Sequence, residues 1–268
     1  MEASPRPAFE LSKWYFDAVG ESGEVFIGYR AALRLPRLAV SYASALTAGA
    51  RETRTRSTVR PGKEPDFFEG ALAWTEPKLA VKATWRGGAQ PISRTLYETP
   101  EGGVVWNCVL ASAECDLAVN GNLVRGLGYA DHLSMTIPPW RLPIDTLRWG
   151  RFLSPEHSVV WIDWEREGDG RTWIFVDGTE VQGKVREEGI LFEGGRVDLP
   201  ASDRLVLRCG RLSYLLRNLS LSPPLRTRLG ARGLAIHETK WRTRGVLESA
   251  GASAVQGWAI HEVVRFRT

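Results

Sequence analysis

The chain has 268 residues, 43% of them hydrophobic and 25% charged, which suffices for one large core or two small ones and is too apolar for a disordered protein. No run approaches ~18 consecutive apolar residues, which excludes a helical membrane span. Lys and Arg number 35 against 31 Asp and Glu, a net charge of +4, and the mixing of signs along the chain argues against a nucleic-acid-binding surface.

Residues 1–7 hold a glutamate and two prolines where a signal peptide needs an apolar stretch. Three cysteines, Cys108, Cys115 and Cys209, form no CxxC pair. Together these predict reduced thiols and a cytoplasmic location. Short runs rich in Val, Ile, Trp, Tyr and Phe then recur, and they predict strands at 13–18 and 24–29. Residues 38–50 read as either a short helix or a small-residue strand. The basic run 51–63 has no interleaved aromatic and reads as a solvated hairpin, so no nucleic-acid partner is expected. Strands follow at 79–84 and 103–110; in the latter Val104, Trp106 and Cys108 share one face and Asn107 takes the other. Asn120-Gly121 suits a two-residue hairpin turn, as do the later pairs Asp169-Gly170, Asp177-Gly178 and Gly194-Gly195.

Residues 126–151 are the most unusual stretch. Pro138, Pro139 and Pro143 stop it from being one strand, which predicts a strand at 129–136, a stiff loop, and a strand at 147–153. Strands are also expected at 158–165, 172–176 and 205–208. Ala235-Ile-His-Glu238 recurs as Ala259-Ile-His-Glu262 on what read as the last two strands, where His237 and His261 have the chance to meet across a hairpin. Helical periodicity is scarce throughout. The fold class is therefore all-β: roughly 18 to 20 short antiparallel strands in two packed barrels or sandwiches, residues 1–122 and 123–268, with the boundary near 120–125.

Alternation places Tyr129, Asp131, Leu133 and Met135 on one face of their strand and Ala130, His132 and Ser134 on the other. A carboxyl group among aromatic and apolar neighbours is desolvated, which favours its protonated form. Asp131 is thus a candidate general acid for an apolar alkene, with aromatic rings to support a carbocation; it is equally readable as a buried structural acid. Trp161 and Asp163 share a face of the strand 158–165, and Tyr15 and Asp17 share a face near the start. No HExxH, CxxC, P-loop, strand-borne GxGxxG or GxSxG occurs, so neither a metal nor a nucleotide cofactor is indicated.

The segments Trp106-Asn-Cys108, Gly128-Tyr129-x-Asp131, Leu147-x-Trp149-Gly-Arg151 and Val159-Val-Trp-Ile-Asp163, with the opening Lys13-Trp-Tyr-Phe-Asp17, resemble carotenoid 1,2-hydratase (hydroxyneurosporene synthase). The wider group takes in AttH-like proteins and fungal lipocalin-like Diels–Alderases. The resemblance runs through most of the chain and is densest between residues 104 and 165. It implies a tandem pair of lipocalin-like (calycin) barrels and a largely apolar ligand, isoprenoid-like or polyketide-like. An apolar isoprenoid or polyene alkene is the expected substrate, and peripheral contact with a membrane is one expected way to collect it. The resemblance also implies Asp131 as the proton donor to the alkene, with Tyr129 beside it, and no cofactor. Trp106, His132, Trp149, Trp161, Asp163, Trp14 and Tyr15 are the expected substrate-binding residues, and His261 and Glu262 are candidates for positioning water. A carrier that binds such a ligand without chemistry would need the aromatics but not the acid.

Overall fold

The computed structural model describes residues 8–49, 52–87, 90–211 and 236–266. Arg51 of the basic run and Ala235 of the repeated tetrapeptide lie outside them. The chain divides into two units, Met1–Leu142 and Pro143–Thr268.

The first unit carries β1 (Glu10–Gly20), β2 (Val25–Leu35), β3 (Leu38–Ala48), β4 (Thr53–Thr58), β5 (Asp66–Phe68), β6 (Ala71–Glu76), β7 (Val81–Arg86), β8 (Ile92–Thr99), β9 (Gly102–Val119) and β10 (Asn122–Met135). The second carries β11 (Thr146–Leu153), β12 (Ser158–Glu165), β13 (Arg171–Val176), β14 (Thr179–Val181), β15 (Gly183–Arg186), β16 (Gly189–Phe192), β17 (Gly195–Asp198), β18 (Leu205–Arg211), β19 (His237–Ser249) and β20 (Val255–Arg265). Each set forms one 10-stranded antiparallel sheet. The first has the order β4-β3-β2-β1-β10-β9-β7-β6-β5, with β8 on β9. The second has the order β14-β13-β12-β11-β20-β19-β17-β16-β15, with β18 on β19. The two orders correspond strand for strand, a structural repeat of which the tetrapeptide echo is a small trace.

The all-β expectation holds. The ambiguous segment is strand β3, and alternate small residues explain it: Ala43 and Ala45 face the core. The basic run contributes β4, whose residues are nearly all exposed. The expected boundary at 122/123 falls instead on the hairpin between β9 and β10, two neighbours in the first sheet. There Asn120 (φ 51°) and Gly121 (φ 83°) take the left-handed conformations that a tight hairpin requires. The chain leaves the first unit within the proline segment, between Leu142 and Pro143, just past the turn of 3₁₀ helix formed by Pro139–Arg141.

In the first unit Phe16, Phe26, Trp74, Trp85, Leu117 and their neighbours form the core. Phe16 of β1 packs on Trp74 of β6 at 4.6 Å and on Trp85 of β7 at 5.1 Å, so the sheet curls until strands distant in its order meet. Gly28 of β2 makes that closure feasible, because a Cβ there would overlap both Phe16 and Trp74. The second core is centred on Phe152, Val159, Trp161, Ile174 and Ala259. Truncating a fully buried Trp to Ala in such a core costs about 3–5 kcal/mol.

Candidate functional site

Successive residues of a strand point to opposite faces of the sheet. In β1, Phe16 and Ala18 face the core and Trp14 packs against it. Tyr15 and Asp17 therefore face outward, away from that core, yet both are buried. Register completes the group. Tyr15 lies opposite Asp131 and Asp17 opposite Tyr129 in the β1–β10 pair, while Tyr29 of β2 lies opposite Tyr15.

The fourth strand of this outer face is β9, whose pairing with β10 contains a break. Pairing with β10 shifts register between Gly128 and Ala130 and again between Ala130 and Asp131. On one side of the break the odd-numbered Ala113, Cys115 and Leu117 face the core. On the other side the even-numbered Trp106 and Cys108 face outward with Asp131, so the two shifts cancel and β9 keeps one alternation through the break.

The result is a buried cluster of phenols and carboxyls. The Tyr129 hydroxyl donates to Asp131 Oδ2 at 2.8 Å, and Trp106 Nε1 donates to the same oxygen at 3.0 Å. The Tyr15 hydroxyl donates to Asp17 Oδ2 at 2.8 Å. Two Tyr-x-Asp segments thus lie antiparallel, each tyrosine bonded to the aspartate two residues on. Their rings are linked, Tyr15 to Tyr129 at 6.0 Å and Tyr15 to Tyr29 at 5.3 Å. The backbone of Asp17 is pinned from the core side, where Trp85 Nε1 donates to its carbonyl at 2.7 Å.

Burial sets the proton chemistry. It pushes the Tyr129 hydroxyl well above its ordinary value, and the Asp131 charge adds to the rise. The Cys108 thiol is pushed up in the same way, first by burial and then by Asp131. Both groups therefore stay protonated at neutral pH, which rules out thiolate or phenolate nucleophiles here.

The other predicted residues lie elsewhere. Trp14 and His132 face the core side of the same strands, back to back with Tyr15 and Asp131, their rings 4.7 Å apart. His132 shares a 2.8 Å hydrogen bond with Ser12 Oγ, and burial lowers its basicity. Trp161 and His261 lie on the core side of the second unit, above Gly150, whose missing Cβ leaves room for both. His261 Nε2 is 2.9 Å from Thr243 Oγ1, its ring stacks on Trp241 at 5.2 Å, and burial, reinforced by Arg204, pushes its pKa down to about 3. It is thus neutral at physiological pH. His237 lies opposite Arg265 and His261 opposite Trp241, so the two histidines do not meet across the hairpin. Asp163 takes hydrogen bonds from Arg148 (2.9 Å) and Thr172 (2.7 Å) beside an open cleft of about 380 Å³.

Trp149 and Glu262 share the outer face of β11 and β20. There Lys240 is ion-paired with Glu262 and lies 5.3 Å from the Trp149 ring, with Glu238 and Arg208 alongside. Burial and the Glu262 charge raise the Glu238 carboxyl. Asp17, Cys108, Lys240 and Glu238 were not among the expected site residues. The doubled pattern Tyr15-Phe16-Asp17 and Tyr129-Ala130-Asp131 was the available signal for Asp17. Among the described residues no group of three or more His, Cys, Asp or Glu side chains has the arrangement to hold a metal ion. Likewise no helix among them is long and apolar enough to cross a membrane.

No family model and no curated protein matches the sequence. Solved structures do match. The chain is similar to the crystal structure of CghA at 13% identity and a TM-score of 0.54, over 96% of this chain and 88% of that one. The crystal structure of CghA with Sch210972 gives 12% and 0.52 over the same shares of the two chains, 96% and 88%. That of kievitone hydratase from Nectria haematococca gives 11% and 0.49, over 97% and 89%. At such identities the CghA likeness is one of fold, and the fold is the tandem lipocalin-like arrangement that the sequence resemblance implied.

Proposed function

We propose that this chain is a cofactor-independent acid catalyst that hydrates, isomerises or cyclises an apolar isoprenoid-like or polyene alkene, with Asp131 as the acid. The observation that supports it is the environment of that carboxyl. It is 5% exposed, and its Oδ2 is held by a phenol and an indole, both neutral donors. Burial in surroundings of low polarity favours the protonated form of a carboxyl, the form a general acid needs.

In the proposed step Asp131 Oδ1 carries the proton. The alkene π pair takes it to form a C–H bond, leaving a carbocation on the more substituted carbon and a carboxylate on Asp131. The Tyr129 and Trp106 donors stabilise that carboxylate as its charge develops. The rings of Tyr15, Tyr29 and Tyr129 offer their negative faces to the cation. Water then adds and returns a proton to Asp131, or loss of a neighbouring proton to the Asp131 carboxylate gives an isomer, or a second alkene closes a ring and the new cation loses a proton to that carboxylate. The shared fold with CghA, one structure of which contains Sch210972, supports an organic ligand for this architecture. The three cysteines are free thiols, in keeping with the proposed cytoplasmic location.

The test is mass spectrometry of isoprenoid and polyene candidates incubated with the protein in deuterated water, beside Asp131→Asn. Deuterium in a new product, lost in the variant, is the expected result. Co-purification of an unaltered lipid with both proteins, and no product from either, would replace the catalyst with a carrier.

A further inference from the structure

The core side of the first sheet holds a buried charge that the proposed chemistry does not use. Arg30 of β2 is 8% exposed. Its Nη1 donates to the carbonyl of Ala31, while its Nε is buried and makes no hydrogen bond among the described residues. No carboxylate among the described residues pairs with it. A guanidinium cannot shed its proton, so a buried one without a counter-charge is a standing cost unless an anion joins it.

Strand pairing sets its surroundings. Pairing sets Asn107, His132, Trp14, Arg30 and Ala43 in one row across five strands. One row nearer the strand ends, Ser12 lies opposite Ala32, and residues there are half-buried, so this is the open end of the core. One row deeper lie Phe16 and Gly28, with Trp74 against them, and the indole Nε1 of Trp74 is a second buried donor without a hydrogen bond. Small side chains thus surround a cation, with aromatic rings below and beside it. Glu64, whose charge His132 feels, is exposed and makes no ion pair with Arg30.

We propose that this region is a second ligand site, distinct from the Asp131 cluster on the opposite face of β1 and β10, and that it takes the carboxylate of a small apolar acid. Arg30 binds the carboxylate, and Trp14 and the Phe16–Trp74 floor receive the apolar body. The pairing is charge-assisted and largely dry, where one missing partner weakens binding by at least about thirty-fold.

Calorimetry and thermal melts with octanoate and benzoate, against octanol and benzyl alcohol, test it. The carboxylates bind the wild-type chain and raise its Tm, the alcohols bind at least about thirty-fold more weakly, and Asp131→Asn leaves the carboxylate affinity unchanged. Arg30→Met loses the carboxylate response and, freed of an uncompensated charge, melts higher than wild type in buffer alone. Carboxylates that leave the wild-type Tm unchanged, that bind Arg30→Met equally well, or that bind no better than their alcohols would overturn the site. Loss of carboxylate binding in Asp131→Asn would show that the ligand sits on the other face. None of these outcomes depends on whether Asp131 is a catalyst.

Discussion

The outer faces of β1, β10 and β9 and of β11, β20 and β19 occupy equivalent places in two sheets of the same strand order, and both are buried, polar and aromatic. Their chemistry differs. In the first unit the carboxyls of Asp17 and Asp131 take hydrogen bonds from tyrosine hydroxyls and an indole. In the second the carboxyls of Glu238 and Glu262 stand beside Lys240 and Arg208. Neutral donors leave an acid free to trade its proton, whereas ammonium and guanidinium partners turn the same buried position into a closed ionic network. Under the proposed function one architecture supports a reactive face and a structural one, and the identity of the donor decides which.

The largest test of that contrast is Asp131→Asn, which should lower turnover by about a hundred- to ten-thousand-fold, as loss of a general acid does, while the thermal midpoint moves little. The matching change in the second unit, Lys240→Met, should do the reverse. It strands two buried carboxyls and should cost about 3–5 kcal/mol in denaturant unfolding, with activity per folded molecule intact. If Lys240→Met also stops turnover, the division into reactive and structural faces fails.

A third expectation concerns His261 and pH. Folding holds its imidazole neutral down to about pH 3, so between the unfolded value near 6.5 and that point the unfolded chain binds a proton the folded chain refuses. Stability should be full above pH ~6.5 and fall by up to about 1.4 kcal/mol for each unit below it. His261→Gln, which keeps a partner for Thr243, should flatten the dependence of the urea midpoint on pH. An unchanged slope would place the titration elsewhere. The smallest effect belongs to Tyr15→Phe. Removing one hydroxyl from Asp17 should cost about 1–3 kcal/mol of stability and spare most of the turnover. A loss as large as that of Asp131→Asn would make the two Tyr-x-Asp pairs a single functional unit.

Much of this was legible in the sequence because it is local. Alternation alone put Tyr129 with Asp131 and Val104 with Trp106 and Cys108, and the structure keeps each grouping. Alternation also separates Trp14 from Tyr15 and His132 from Asp131, which is why one roster of expected site residues divides between two faces of one sheet. What the sequence withheld is register. The meeting of Asp17 with Tyr129 spans most of the first unit, and no local pattern specifies which residues of β1 and β10 stand opposite each other. Arg30 was hidden differently: an arginine in a strand reads as solvent-facing unless its pairing row is known.

The paired register shifts in β9 offset one another. Each gives β9 one residue more than β10, so together they keep its alternation: odd-numbered Ala113, Cys115 and Leu117 face the core on one side of the break, and even-numbered Trp106 and Cys108 face the cluster on the other. Losing one of the two extra residues alone would reverse the far half of the strand, exchanging the groups it shows to the cluster for those it shows to the core while the hairpin at 120–121 stays in place. The length of β9 at this one point is what keeps Trp106 and Cys108 beside Asp131.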